Sequence, residues 1–345
     1  MLRLLESAHR GTVLIPVSIN VASSGITFNY GKSLFSSAVR DSAGVYTFTF
    51  KTPFARLPVA DAQIVSTSAD GGFARASMTT TQMVVRTYDS SYSAIEPCGV
   101  DVIILGHLVN EYDKYSGKLF PVKAPMLSPR LVVGQFSSAA VATIGSGDFT
   151  ASKTATGTYE ITFRRPFAQA PIIVGMGYDD ATATVLTTYS KTANSCIIKV
   201  FGCVAAALAD GSFSLFIVGS QGVGECGFDS LRQVLSTQRG ARITGFAIDA
   251  LSGTTFTVGG PTTGKDFSSA SAGSADGTFN ITDSFRRNAV FIATAEDAPA
   301  RRSGGVSSST QIGIKTFDLA GDPADSEVEG IVVGFDDPSE YFSAS

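Results

Sequence analysis

The sequence predicts an all-β protein of three tandem antiparallel β-sandwich domains, jelly-roll-like in layout and joined by short linkers. Three observations carry this expectation. Aromatic and β-branched residues alternate with hydroxyl residues over short runs. The runs follow one another at about ten-residue spacing with Gly, Asp and Ser between them. The whole pattern then recurs along the 345 residues.

The alternation is clearest in Tyr46, Phe48 and Phe50, set between Thr47 and Thr49, and in Tyr159, Ile161 and Phe163, set between Glu160 and Thr162. Side chains on a strand point to opposite faces in turn, so each run reads as a half-buried strand with its aromatics inward. Each is followed by Phe-x-x-x-Pro and a further run, Val59 to Thr67 or Ile172 to Met176. Proline has no N–H to offer a ladder, so it marks the bend between the two strands. A later strand is Met83 to Tyr88, matched by Ile197 to Phe201 and Ile312 to Phe317. The closing strand reads apolar, polar, then mostly apolar before a glycine: Val100, Asp101, Val102 to Leu105; Phe213, Ser214, Leu215 to Val218; Val328, Glu329, Gly330, Ile331 to Val333.

The recurrence is exact in spacing for two copies. Gly44-Val-Tyr-Thr-Phe-Thr-Phe50 with Pro53 and Phe54 returns as Gly157-Thr-Tyr-Glu-Ile-Thr-Phe163 with Pro166 and Phe167, an offset of 113. Pro58 falls on Pro171, Tyr88 on Phe201 and Gly106 on Gly219 at the same offset. In a third copy, Gly277 to Thr282 aligns with Gly157 to Thr162 at offset 120, and Phe285-Arg-Arg287 with Phe163-Arg-Arg165 after a two-residue insertion at Asp283-Ser284. Phe317 and Gly334 fall on Phe201 and Gly219. Phe35, Phe149 and Phe267 open the same segment in each copy. Repeats of this length are whole domains, since stacked solenoid units run only about 20–50 residues. The expected division is an N-terminal segment 1–10, domains 11–107, 131–219 and 241–335, linkers 108–130 and 220–240, and a tail 336–345.

The connecting segments carry apolar residues and are expected to pack against the domains. Leu2, Leu4, Leu5 and Ala8 fit one face of a short helix, with a packed terminal turn and a docking peptide as the two readings of it. Phe228, Leu231 and Leu235 fit a second short helical face.

Composition narrows the chemistry. Length alone allows two to three domains at about 150 residues each. Charged residues are 16% of the chain, well under the ~25% of an average domain. A net charge of −4 gives no footprint for phosphate backbones, so no nucleic-acid partner is expected. No run approaches the ~18–20 apolar residues of a membrane span. Arg3, Glu6 and Arg10 break up any signal-peptide core. Cys98, Cys196, Cys203 and Cys226 form no CxxC pair and have no flanking histidine, so they read as free thiols of a chain made in a reducing cytosol.

Catalytic and metal sites are not expected, and no cofactor. The two histidines, His9 and His107, lie outside the repeat, whereas a triad needs a base against its nucleophile. Asp179-Asp180 and Asp336-Asp337 are neighbours that face opposite sides of a strand. Asp318, Asp322, Asp325, Glu327 and Glu329 are the densest acidic stretch, read as a solvated loop before a Ca²⁺ site because no EF-hand spacing is present. Gly259-Gly260 and Gly304-Gly305 do not open helices, so they form no phosphate cradle. Arg164-Arg165 and Arg286-Arg287 sit at one turn of two copies and fit a surface turn or an interface equally. Asn280-Ile-Thr282 matches a glycosylation acceptor but lies in an expected strand.

The motif Gly-x-Tyr/Phe-x-Ile/Phe-Thr-Phe-x-x-Pro-Phe-x-x-x-Pro, with its β-run and a closing strand ending in glycine, resembles modules of accessory virion proteins of tailed phages, of the head-decoration, knob, fibre or tail-fibre type. Its Phe-x-x-x-Pro layout also resembles the H-type lectin sandwiches. The resemblance implies a non-enzymatic virion structural protein, made in the host cytoplasm, that forms or decorates an exterior projection beside capsid or tail proteins. The competing expectation is a carbohydrate-binding adhesin or receptor-binding protein whose loops hold host surface glycans, with Tyr178, Tyr189 and the Tyr88/Tyr92 pair as its aromatic rings. The resemblance also favours a homotrimer. Independently, Val13 to Ile19 and Val59 to Val65 carry a single charge, Asp61, and edge strands so bare need covering by other subunits.

Overall fold

The computed structural model describes residues 3–4, 6–7, 12–65, 73–89, 91–107, 120–121, 123–124, 129–145, 148–177, 184–202, 207–221, 232–233, 235–236, 241–249, 257–259, 267–273, 276–281, 285, 289–296, 302–308, 310–318, 320, 322–324 and 326–335. Apart from one 3₁₀ turn, Lys32–Leu34, the regular elements among them are strands. Twenty-four strands fall into the three sequence copies.

The first copy holds β1 (Thr12–Ala22), β2 (Gly25–Tyr30), β3 (Phe35–Ser42), β4 (Val45–Phe50), β5 (Val59–Ile64), β6 (Phe73–Met78), β7 (Gln82–Tyr88) and β8 (Cys98–His107). The second holds β9 (Pro129–Phe136), β10 (Ala142–Gly145), β11 (Phe149–Ala155), β12 (Thr158–Phe163), β13 (Ile172–Gly177), β14 (Thr184–Lys191), β15 (Ser195–Gly202) and β16 (Phe213–Ser220). The third holds β17 (Ala241–Asp249), β18 (Thr257–Gly259), β19 (Phe267–Gly273), β20 (Asp276–Ile281), β21 (Val290–Glu296), β22 (Arg302–Ser307), β23 (Gln311–Phe317) and β24 (Glu327–Phe335).

The first copy pairs antiparallel in two sheets. One runs β1-β8-β5 with β2 folded back on β1, the other β3-β4-β7-β6. The same two pairing orders return in the second and third copies. A single parallel pair, Thr188 with Glu296, joins β14 to β21 and so merges two sheets into one of ten strands.

Alternation places the core as expected. Tyr46, Phe48 and Phe50 are buried, and so are Tyr159, Ile161 and Phe163. They join clusters that draw on both sheets of a copy: Val17, Phe48 and Val102 in the first, Val132, Tyr159 and Ile217 in the second, Phe246, Ile314 and Val332 in the third. The glycine that ends each closing strand makes room for a phenylalanine. A Cβ on Gly106, Gly219 or Gly334 would lie 2.5, 2.7 or 2.1 Å from Phe54, Phe167 or Phe285.

A further cluster belongs to no single copy. Leu14, Ile103 and Leu105 of the first, Leu131, Val174 and Phe216 of the second, and Ile243, Ile292 and Val333 of the third pack together. Strands β8, β16 and β24 are therefore buried on both faces: Val102 and Ile104 enter their own copy's cluster, while Ile103 and Leu105 enter the shared one. An antiparallel sheet usually leaves one face to water. Here those second faces meet one another.

The leading segments close this arrangement cyclically. Glu6–Ser7 pairs in parallel with β9, Lys123–Ala124 with β17, and Leu235–Ser236 with β1. The segments also pair among themselves, Arg3–Leu4 with Lys123–Ala124, Phe120–Pro121 with Leu235–Ser236, and Arg232–Gln233 with Glu6–Ser7. Each segment thus flanks the first strand of the copy after its own, and the last returns to the first.

Several expectations are corrected. Arg3–Leu4 and Glu6–Ser7 are extended and not helical, and so are Arg232–Gln233 and Leu235–Ser236, while Leu2, Leu5, Ala8, Phe228 and Leu231 lie outside the described residues. An isolated helix this short is marginal in water, and a neighbouring strand flank offers these backbones complete pairing. The third copy is in a different register. Because Asp276 pairs Lys315 as Thr158 pairs Lys199, and Phe285 covers Gly334 as Phe167 covers Gly219, Thr158 to Phe167 map on Asp276 to Phe285 at a constant offset of 118 without an insertion. Gly277 therefore stands at the place of Tyr159, and Arg286-Arg287, outside the described residues, do not correspond to Arg164-Arg165. Val13 to Ile19 is no edge, since β1 is paired with β8 on one side and with Leu235–Ser236 and β2 on the other.

Candidate functional site

The strands β5 and β13 end their sheets, β21 is bound beyond β24 only through the single Thr188–Glu296 pair, and the three meet at the shared cluster. Their free backbone groups are met by side chains of the neighbouring copy, in two layers. Asp101 Oδ2 accepts the Phe291 N–H at 3.2 Å, Glu329 Oε2 accepts that of Ile173 at 2.9 Å, and the Ser214 hydroxyl donates to the Ala60 carbonyl at 3.3 Å. These are the polar residues of the apolar-polar-apolar closing strands. In the second layer Gln63 Oε1 accepts from Ala293 N at 2.6 Å, Met176 Sδ from Ala62 N at 3.4 Å and Thr294 Oγ1 from Gly175 N at 2.9 Å. Strand register makes each trio equivalent: Gln63 lies opposite Asp101, Met176 opposite Ser214 and Thr294 opposite Glu329.

Beside the second layer is a cavity of about 70 Å³, lined by Asp61 to Ile64, Gly175 to Gly177 and Ile292 to Ala295 from the three strands, with Phe73 to Arg75 and Thr184 to Leu186 on its flanks. Asp61 is 3% exposed and stands where the other copies carry Val174 and Ile292. Burial pushes its carboxyl up to about 7, against a small opposing effect of the Ala62 N–H. Asp101 is raised to about 7 by the same cause, opposed by Ser18 and by Phe291 N–H. Gln63 Nε2 and Thr184 Oγ1 of the lining are buried without a hydrogen-bond partner. Gly177 is required beside the latter, because a Cβ there would sit 2.1 Å from Thr184 Oγ1.

Arg75, 3% exposed, forms one wall. Its guanidinium donates to the Thr184 carbonyl at 3.1 Å and the Tyr92 hydroxyl at 3.4 Å, and lies 5.4 and 5.5 Å from the ring centres of Phe73 and Tyr92. Tyr92 in turn stacks on Tyr88 at 4.4 Å. Tyr92 takes φ 68°, a left-handed conformation that is uncommon outside glycine. The Asp89 carboxylate holds that turn by accepting the N–H groups of Ser91 and Ser93. Among the cavity's lining residues there is no Ser, Cys, His or Lys. The arrangement is a recess of planar polar groups and aliphatic walls, suited to holding a ligand.

The residues singled out in the sequence lie elsewhere. His107 ends β8, where its carbonyl accepts from Ala55 N. His9, Tyr178, Cys203, Cys226, Gly260, Thr282, Asp325 and the pairs Asp179-Asp180 and Asp336-Asp337 are outside the described residues. Cys98 and Cys196 are free, buried thiols, and burial lifts Cys98 to about 11 and Cys196 beyond it. Asp318 caps its own turn by accepting from Ala320 and Asp322. Glu329 is no part of a solvated loop: it is fully buried on β24 and ion-paired with Lys191. No three His, Cys, Asp or Glu among the described residues are placed to hold a metal. Gly304-Gly305 lie inside β22 and Asn280 inside β20. Arg165 clasps the buried Asp148 at 2.6 Å and, through its carbonyl, Arg130 at 2.6 Å, which makes it a tie within the second copy. Of the aromatic candidates, Tyr189 is 45% exposed with the Lys199 ammonium 3.1 Å from its ring centre, and the facing surfaces of Tyr88 and Tyr92 cover each other. Gln63, Arg75 and Thr184 carry no signal in the sequence, and Asp61 stands out there only as the one charge of its run, although it aligns with Val174.

No known protein family, curated protein or solved structure matches the chain. The site is therefore read from its own geometry.

Proposed function

We propose that the chain is a non-enzymatic structural protein of a phage-like virion, placed on the outside of the particle as a head-decoration, knob, fibre or tail component. In this reading its finer architecture is three jelly-roll-like sandwiches around one axis, and one chain stands in for a trimer. The observation that carries it is the cyclic pairing of the leading segments with β9, β17 and β1. A subunit-to-subunit exchange of this form closes a ring and stops, as closed symmetry does. The bare edges that argued for a homotrimer are met inside the chain at β1, so the proposed partners are capsid or tail proteins, with the chain itself monomeric.

Such a build suits a projection. A core shared by three copies resists shear between them, and a weakly charged, hydroxyl-rich surface has little attraction for nucleic acid. Mass spectrometry of purified particles tests the proposal. Stoichiometric recovery with the capsid is expected; recovery of the protein only in the lysate would overturn it.

A further inference from the structure

We propose that the cavity between β5, β13 and β21 is a binding site for an uncharged, hydroxyl-rich ligand, a neutral sugar unit that enters edge-on. The inference goes beyond the structural role and does not depend on it.

Equivalent positions of the three copies differ in chemistry here. Val174 and Ile292 show that the shared cluster closes with aliphatic side chains where the first copy has Asp61. A carboxyl there is not needed for packing, and burying one is unfavourable unless something compensates it. Gln63 and Thr184 add a second, independent sign. They are 5% and 3% exposed, line the same cavity, and each keeps a polar atom without a partner. Buried polar atoms in native structures are nearly always satisfied, so orphans that share one recess point to an absent partner.

Charge then selects among ligands. The Asp61 carboxyl disfavours an anion and the Arg75 guanidinium disfavours a cation within one small volume. A hydroxyl both donates and accepts, and so satisfies a carboxylate, an amide N–H, a threonine hydroxyl and a guanidinium alike. The walls of Met176 and Leu186 fit the C–H edge of a ring. Size sets the depth. The cavity is about 70 Å³, two to three times the ~30 Å³ share of one water molecule, which admits an edge with two hydroxyl groups and leaves the rest of the ring outside.

Titration calorimetry of the full chain with methyl glucoside, methyl galactoside, methyl mannoside and N-acetylglucosamine tests this, with glucosamine and glucuronic acid as cationic and anionic controls. Saturable one-to-one binding of at least one neutral probe is expected in the millimolar range, with the charged controls at least about tenfold weaker. Gln63→Leu and Thr184→Val should each weaken it about tenfold, and Tyr189→Ala should leave it unchanged. In the unaltered protein, amide resonances of residues 61–64 and 184–186 should shift on addition of the bound sugar, a readout that needs no variant. Absence of saturation by every neutral probe at roughly 100 mM, equal binding by the charged sugars, or binding indifferent to both cavity variants would overturn the proposal. Particle composition, which tests the virion role, is a separate outcome.

Discussion

The ring of Phe167 lies across Gly219 at a distance that no side chain on residue 219 could tolerate, 2.7 Å from its Cδ1 to the place of a Cβ. Phe167 lies in the connection between β12 and β13 and Gly219 near the end of β16, and each explains the other's recurrence: Phe54 with Gly106 and Phe285 with Gly334 repeat the contact. Arg130 and Arg242 complete it in two copies, with their guanidinium carbons 4.0 and 4.5 Å from the ring centres of Phe167 and Phe285.

Gly219→Ala is therefore expected to destabilise the protein by about 1–3 kcal/mol, the usual range for overpacking a filled core. Gly202→Ala, whose nearest new neighbour would be 3.8 Å away, should change stability by less than about 0.5 kcal/mol. Urea unfolding midpoints of the two variants check the contrast.

Stability should fall as pH rises from about 4 to about 7. Asp61 and Asp101 have an ordinary value of 3.8 and sit near 7 when folded, so in that window the folded chain binds more protons than the unfolded one. The benefit is full below about 4 and gone above about 7, at most about 4 kcal/mol for each group at ~1.4 kcal/mol per pH unit. Glu96 works in the opposite sense. Hydrogen bonds from Arg40 and then Tyr46 hold it near 2 against an ordinary 4.5, so its contribution is lost only as pH falls from about 4.5 toward 2. Melting temperatures should peak near pH 4–5 and decline toward pH 8, and Asp61→Val should raise the value at pH 8 while flattening the decline.

Glu329 is fully buried, paired with Lys191 and bonded to Ile173 N at 2.9 Å. Lys191→Met should cost about 3–5 kcal/mol by leaving that carboxylate uncompensated. The double variant Lys191→Met/Glu329→Gln should recover more than half of the loss. Chemical denaturation of the two proteins decides it; equal loss in both would show that the charge pair is not the cause.

Deleting residues 1–8 should bare the flank of β9 that Glu6–Ser7 covers. Unpaired strand edges recruit one another, so the shortened protein should elute as higher oligomers, whereas the full chain, of 35.9 kDa, is expected to elute as a monomer. A monomeric, equally stable deletion would show the segment to be dispensable.

Much of the fold was legible because it rests on short-range pattern. Period-two runs placed β4, β7, β12 and β15, and proline placed the starts of β5 and β13. The shared cluster was harder to see. Its signal was present in Val102 to Leu105 and Leu215 to Val218, continuous apolar runs that belong to strands buried on both faces, but a run of four does not say what covers the second face. Of the helical face read at Phe228, Leu231 and Leu235, only Leu235 is among the described residues, and it is extended because pairing with β1 overrides a helical preference that a single turn supports weakly. Asp61 stands out in the sequence as a charge on an edge, yet its meaning depends on Val174 and Ile292, and the third copy has no Phe-x-x-x-Pro by which Ile292 could be aligned with it.

The cyclic pairing of the leading segments also fixes when a growing chain can finish folding. Domains made on a ribosome generally fold from the N-terminus as they emerge. Here β1 is complete at Ala22, but Leu235 and Ser236, which cover its flank, are translated more than two hundred residues later. The first copy must wait, with part of the β1 flank open and Leu14, Val59, Ile103 and Leu105 uncovered, until synthesis has passed the second. A message cut short after the second copy would yield an unfinished product and not two finished units, so translation pausing or truncation in the last third should send this protein to chaperones and proteases.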